Sequence, residues 1–193
     1  EGITDLISFS LGKKVYVVDM GSIKEADSVT NFWEFNSTTN KWTQLPNLPT
    51  DFKARVKAFS FTIGDKAYIG GGSADKDIFL KDLWEFDGTT GKWKVLTALP
   101  TDFEARIGAF SFAIGDKAYL GGGVSEDEDS MLDDFWEFNS ATDKWTQLAA
   151  LPAELKDRFY PVIWTINNEA YIGAGIEINS GMPLKDFWGL TFK

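Results

Sequence analysis

Between Ala58 and Ile63 the chain alternates large apolar and small polar side chains, with Phe59 and Phe61 set against Ser60 and Thr62. That two-residue beat is the mark of a strand whose two sides meet different surroundings. Gly64-Asp65 follows as a tight-turn dipeptide, and a second extended run occupies Lys66 to Gly70. Two more runs, Leu83 to Phe86 and Trp93 to Leu96, are joined by Asp87-Gly88 and Thr89 to Lys92. Nothing in this stretch has the period of a long helix, so it predicts four short antiparallel strands.

The same pattern returns along the whole chain. Trp33, Trp84, Trp136 and Trp188 fall at intervals of 51, 52 and 52 residues. Tyr16, Tyr68, Tyr119 and Tyr171 are spaced 52, 51 and 52 apart, and Trp42, Trp93 and Trp145 are 51 and 52 apart. A period near 50 residues marks a repeat architecture. RVKAFSFTIGDKAYIGGG aligns with RIGAFSFAIGDKAYLGGG and RFYPVIWTINNEAYIGAG, and a diverged first copy begins near Ile3. The units run over about 3–54, 55–105, 106–157 and 158–193. A four-stranded sheet that cannot bury both of its faces alone has the logic of a propeller blade.

On these residues the units resemble kelch repeats. The resemblance rests on the glycine runs Gly70, Gly71, Gly72 and Gly121, Gly122, Gly123, on the aromatic third strand and on the tryptophan of the fourth; it covers essentially the whole chain. Unit one departs from it, with Val18-Asp19-Met20 in place of the glycines and Ile3 where the others carry Arg. The resemblance implies an all-β kelch-type β-propeller region over residues 1–193, with three complete four-stranded blades and an incomplete fourth. Unit four ends before a fourth strand, giving fifteen strands where four blades need sixteen. Because kelch propellers commonly have five to seven blades, the expectation is a portion of a larger propeller or assembly. A compact four-bladed ring and an open arc completed by another chain are the alternatives.

The glycines are expected to carry the chain off the second strand with positive φ or close backbone approach. No helix and no Lys-Ser/Thr follows them, which argues against a phosphate loop. Trp33, Trp84, Trp136, Trp188, Trp42, Trp93 and Trp145 read as structural repeat residues, all but Trp188 as packing between blades.

Composition narrows the function. A net charge of −10 and a pI near 4.5 make the protein acidic and exclude nucleic acid as an expected partner. With no His and no Cys there is no disulfide, no thiolate nucleophile and no familiar zinc set, and no metal or cofactor is expected. Among kelch-type enzymes this removes copper-radical galactose oxidase chemistry. Sialic-acid mutarotase-like chemistry, which can use Glu, Arg and Asn, stays open. Glu34, Glu85 and Glu137 recur at one strand position, as a structural residue would. Glu177 is a single acid with no distinguishing pattern, so no catalytic residue is assigned. No stretch approaches the about 20 apolar residues of a membrane span, and no membrane insertion by this chain is expected.

Arg55, Arg106 and Arg158 head the first strand of their units, where several kelch domains present arginines to acidic peptides. Asp82, Asp134 and Asp186, with Asn31 in unit one, precede the third strand and offer a second reading, an Arg–Asp clamp. The loops SADKDIFLK and VSEDEDSMLD vary most, and Glu126, Asp127, Glu128 and Asp129 read as a solvated acidic run rather than a calcium loop. Trp164, the one tryptophan outside the tryptophan columns, joins the three arginines as a ligand or partner candidate. The function that follows is a non-catalytic protein-interaction or scaffold module, completed by another protein or by further blades. Carbohydrate binding or processing, with a glycan partner, is the alternative. The repeat style resembles bacterial secreted and cell-surface kelch proteins, which implies an extracellular, cell-surface or periplasmic setting.

Overall fold

The alternating runs become strands almost where the pattern places them. In the second repeat these are Phe59–Ile63, Lys66–Gly70, Leu83–Asp87 and Lys92–Val95, paired in that order as an antiparallel meander. The structure, a computed structural model, describes residues 5–20, 31–75, 78–96, 99–126, 131–155, 158–177 and 180–191. The first repeat builds Leu6–Leu11, Lys14–Asp19, Asn31–Asn36 and Lys41–Gln44 into the same sheet, and the third builds Phe110–Ile114, Lys117–Gly121, Phe135–Asn139 and Lys144–Gln147. The fourth has three strands, Val162–Ile166, Glu169–Gly173 and Phe187–Thr191. The fifteen strands expected are the fifteen blade strands found among the described residues. Outside the strands, a 3-10 turn spans Ala153–Leu155, and no described helix is long and apolar enough to cross a membrane.

Local chemistry sets the strand ends. Asp87 accepts the backbone N–H groups of Thr89 and Thr90 at 2.8 and 2.9 Å, and Asn36 does the same for Thr38 and Thr39 at 2.9 and 3.2 Å. Such a side chain mimics a backbone turn, which stops the third strand and aims the chain into the fourth. The second strand ends on the glycine run, where Gly122 and Gly123 have φ of 64 and 89°. A Cβ on Gly123 would lie 2.7 Å from the Ile107 carbonyl oxygen, so close approach as well as positive φ requires glycine there. Beyond the kink the hairpin continues as a short ladder, Arg106–Ile107 against Val124–Ser125.

Alternation gives each blade two unlike faces. In the second blade Phe59, Phe61, Tyr68, Leu83 and Glu85 point one way, and Ala67, Ile69, Trp84, Phe86 and Trp93 the other, as the pairing register requires. We call these the Tyr face and the Trp face. The first strands of neighbouring blades lie side by side about the axis. Each Tyr face then packs on the Trp face of the next blade. Phe59, Phe61 and Tyr68 form one core with Ala118, Leu120, Trp136 and Phe138, filled from the rim by Leu96, Leu99 and Phe103. The cores on either side repeat this scheme.

Among the described residues the two end faces lack such a cover. Val162, Trp164, Ile166 and Phe187 on the Tyr face of the fourth blade are all exposed, and Trp42 on the Trp face of the first is 56% exposed. The described blades therefore form an open arc. Of the six tryptophans expected between blades, Trp84 and Trp136 are buried and Trp93 and Trp145 partly so, whereas Trp33 and Trp42 stand on the end face of the first blade with no described blade in front of them.

Candidate functional site

Arg55 and Arg106 are fully buried and Arg158 is 2% exposed. Each guanidinium is already committed. Arg106 Nε donates to the Glu104 carbonyl at 3.0 Å and Nη1 to the Gly122 carbonyl at 3.2 Å, while the two Nη groups grip Asp134 at 2.5 and 2.6 Å. Trp136 Nε1 donates to the same carboxylate at 2.6 Å, and the Phe103 ring lies 4.3 Å below the guanidinium. Arg55 repeats the set with Lys53, Gly71, Asp82, Trp84 and Phe52. Arg158 bonds Ala174, Glu154 and Asp186, and Trp188 also donates to Asp186. The Arg158 and Trp188 hydrogen bonds hold the Asp186 carboxyl far below the usual carboxylate range.

This geometry is a clamp. It ties the head of the first strand to the glycine kink and to the start of the third strand, with a bidentate pair that planar guanidinium suits. Contact with an outside ligand would require the clamp to open, since the buried nitrogens face protein. The rings beneath it come from a segment whose own recurrence, LPTDFKAR, LPTDFEAR and LPAELKDR, was the signal available in the sequence. Ile3, the counterpart in unit one, and Asp127 to Asp129 of the acidic loop lie outside the described residues. Among those described, no group of three or more acidic side chains is placed to hold a metal ion.

The Trp164 candidate belongs to a column after all. Trp164 pairs with Tyr171 as Phe61 pairs with Tyr68 and Phe112 with Tyr119, so it is the fourth blade's version of a buried inner-strand aromatic. Its ring stacks on Tyr171 with centroids 5.9 Å apart. It also lines a groove of about 340 Å³ along the first strands of blades two to four, with Ser111, Phe112 and Thr165. The arginines and Trp164 are thus not brought together: the former are inside their blades and the latter is on the open face.

A polar column runs along the Tyr faces. Lys14–Glu34, Lys66–Glu85 and Lys117–Glu137 are ion pairs at 3.0, 3.0 and 2.9 Å beside Tyr16, Tyr68 and Tyr119. Burial, followed by the neighbouring glutamate, pushes the Tyr16 and Tyr119 hydroxyls up to about 12. Tyr68 is raised further for the same reasons. These tyrosines stay neutral donors, which suits a structural pairing.

Residues 7–193 match the KLHDC2/KLHL20/DRC7 Kelch-repeats domain. The chain belongs to the kelch-repeat family. Kelch relatives include the N-acetylneuraminate epimerase of Vibrio cholerae, 31% identical over 128 residues that make up 63% of this chain and 30% of that protein. Kelch domain-containing protein 3 of Rattus norvegicus is 23% identical over 149 residues, 73% of this chain and 39% of its own. The solved structure entitled "Structure of YjhT" superposes with a TM-score of 0.76 at 19% identity, covering 97% of this chain and 66% of that one. This kelch chain therefore spans only about a third of the curated relatives and about two thirds of the solved chain with its fold.

Proposed function

We propose that the chain is a non-catalytic kelch-repeat interaction and scaffold module, completed by blades of the same chemistry from a longer chain or a second protein. The observation that carries this is the open Tyr face of the fourth blade, where Val162, Trp164, Ile166 and Phe187 are exposed although in blades two and three the counterparts of Val162, Trp164 and Phe187 are buried and those of Ile166 partly buried. An apolar sheet face bordered by polar residues is a docking surface. Its complement is known from within the molecule: an Ala, Leu/Ile, Trp, Phe face like that of the third blade. A photo-crosslinking residue placed at Val162 in the full protein tests this. Cross-links to kelch-repeat peptides are expected, and labelling no stronger than from a control site at Thr142 overturns it.

Carbohydrate binding or processing is the second reading, supported by the similarity to N-acetylneuraminate epimerase. It calls for sugar-dependent fluorescence from Trp164, and a sugar panel without response removes it. The proposed setting is extracellular, cell-surface or periplasmic, supported by the style of the repeats, and fractionation of the native host tests it.

A further inference from the structure

The interface between the first and second blades differs from its neighbour at its outer rim. A groove of about 310 Å³ opens there, with Tyr16, Glu34 and Lys14 on one side and Phe86, Trp93 and the turn Gly88 to Gly91 on the other. At the next interface Tyr68, Glu85 and Lys66 stand in the same register, but there Glu85 has a second lysine partner. Lys94, paired with Glu85 across the third and fourth strands, places Nζ 3.3 Å from Glu85 Oε1 and 4.0 Å from Asp143 Oδ2 of the third blade. Glu85 is left 3% exposed, against 16% for the Glu34 side chain. In the first blade the residue paired with Glu34 is Thr43, too short to reach across. The turn position held by Asp143 in the third blade is held by Gly91 in the second. Both halves of the plug are missing together.

We propose that this groove is a binding pocket for a neutral polyhydroxylated ring, a monosaccharide unit, and that Lys94 and Asp143 are the plug that closes the equivalent space one blade on. Its volume is at the lower end of the about 300–1,000 Å³ of small-ligand sites. The floor is a Lys–Glu pair, which as a unit carries no net charge and offers both donors and acceptors. An anion would compete with Glu34 and a cation with Lys14, and a wholly apolar ligand would bury the pair without replacing its water. The Phe86 and Trp93 rings supply a flat apolar wall, and Thr89 and Thr90 add hydroxyls at the rim. A ring with hydroxyls at its edge and C–H groups on its face satisfies all of these together.

The probes are galactose, mannose and N-acetylglucosamine, each as the free sugar and as its methyl glycoside, titrated into the full protein and followed by saturation-transfer NMR and calorimetry. Binding of at least one sugar is expected at one site per chain. Binding of glycosides as well as free sugars identifies the end of a glycan chain as the source, and binding of free sugars alone identifies a free monosaccharide. The variant Thr43→Lys with Gly91→Asp should weaken binding at least tenfold. It should also fold, because Gly91 has φ of 68° with nothing within 4 Å of an added Cβ, and Asp143 already adopts φ of 53° at the matching position. The reciprocal variant Lys94→Thr with Asp143→Gly should raise the stoichiometry from one site to two. Trp164→Ala should leave binding intact, which separates this pocket from the open end face. Failure of every sugar to bind, unchanged affinity in the plugged variant, or loss of binding in Trp164→Ala would each overturn the proposal.

Discussion

Phe112 and Trp164 occupy the same register in successive blades, each opposite a tyrosine of the second strand. Phe112 is 5% exposed and Trp164 is 38% exposed. The inner hairpins that carry them are built alike, and the difference follows what lies against them: the fourth blade covers Phe112, and no described blade covers Trp164. Burial in this fold is thus a property of the neighbour. The strand position that looks like a ligand platform in the fourth blade is a packing position in the second and third.

The sharpest way to break that comparison is at the clamps. Arg106→Ala would leave Asp134 partly buried beside an empty guanidinium site, and should cost about 3–5 kcal/mol in urea unfolding. Arg158→Ala should cost markedly less, because the Asp186 side chain is 38% exposed and water can replace its partner. Equal losses would mean that the fourth blade is as enclosed as the third. Next in size, Phe112→Ala should lose about 3–5 kcal/mol, whereas Trp164→Ala should change the stability of the isolated chain by less than about 1 kcal/mol. A large effect of Trp164→Ala that appears only in the full assembly would show directly that a blade covers it.

Titration gives smaller effects at both ends of the scale. Asp186 has a lowered pKa, so its contribution is present above the ordinary carboxylate range and fades as pH falls below it. Asp186→Asn should flatten that acid limb in pH-dependent melting. Tyr16 and Tyr119 have raised values of about 12, so the folded state holds their protons longer than the unfolded chain does. Stability should be level up to about pH 10 and fall between 10 and 12, and Tyr119→Phe should reduce that fall. A small effect is also expected from Ser111→Ala, which removes the hydroxyl that donates at 2.8 Å to the Ser60 carbonyl of the preceding blade. About 0.5–1.5 kcal/mol is the loss to look for by thermal unfolding.

The strand plan was legible because alternation and turn chemistry act locally: Phe59, Ser60, Phe61 and Thr62 declare two faces, and Gly64-Asp65 declares the hairpin. Spacing alone also paired Arg55 with Asp82. It could not decide between clamp and ligand contact, since that choice depends on where the carbonyls of Gly71 and Lys53 and the ring of Phe52 arrive in space. Trp164 is exceptional by residue type but not by register: aligned by strand position, it replaces a phenylalanine. The rim groove was hidden for a related reason. Lys94 and Asp143 lie 49 positions apart and act through a contact between blades, which no pattern within one repeat reveals.

The clamp has a consequence for how such a protein changes over time. Arg106, Asp134, Trp136 and the Gly122 carbonyl all come from one stretch of about 30 residues, so a duplicated segment carries its own fastening with it. The apolar faces then accept any copy that presents the same two surfaces. A repeat fastened in this way holds no record of its rank in the series. Lengthening or shortening the array by one unit leaves every remaining clamp untouched and shifts only which two surfaces stand at the ends.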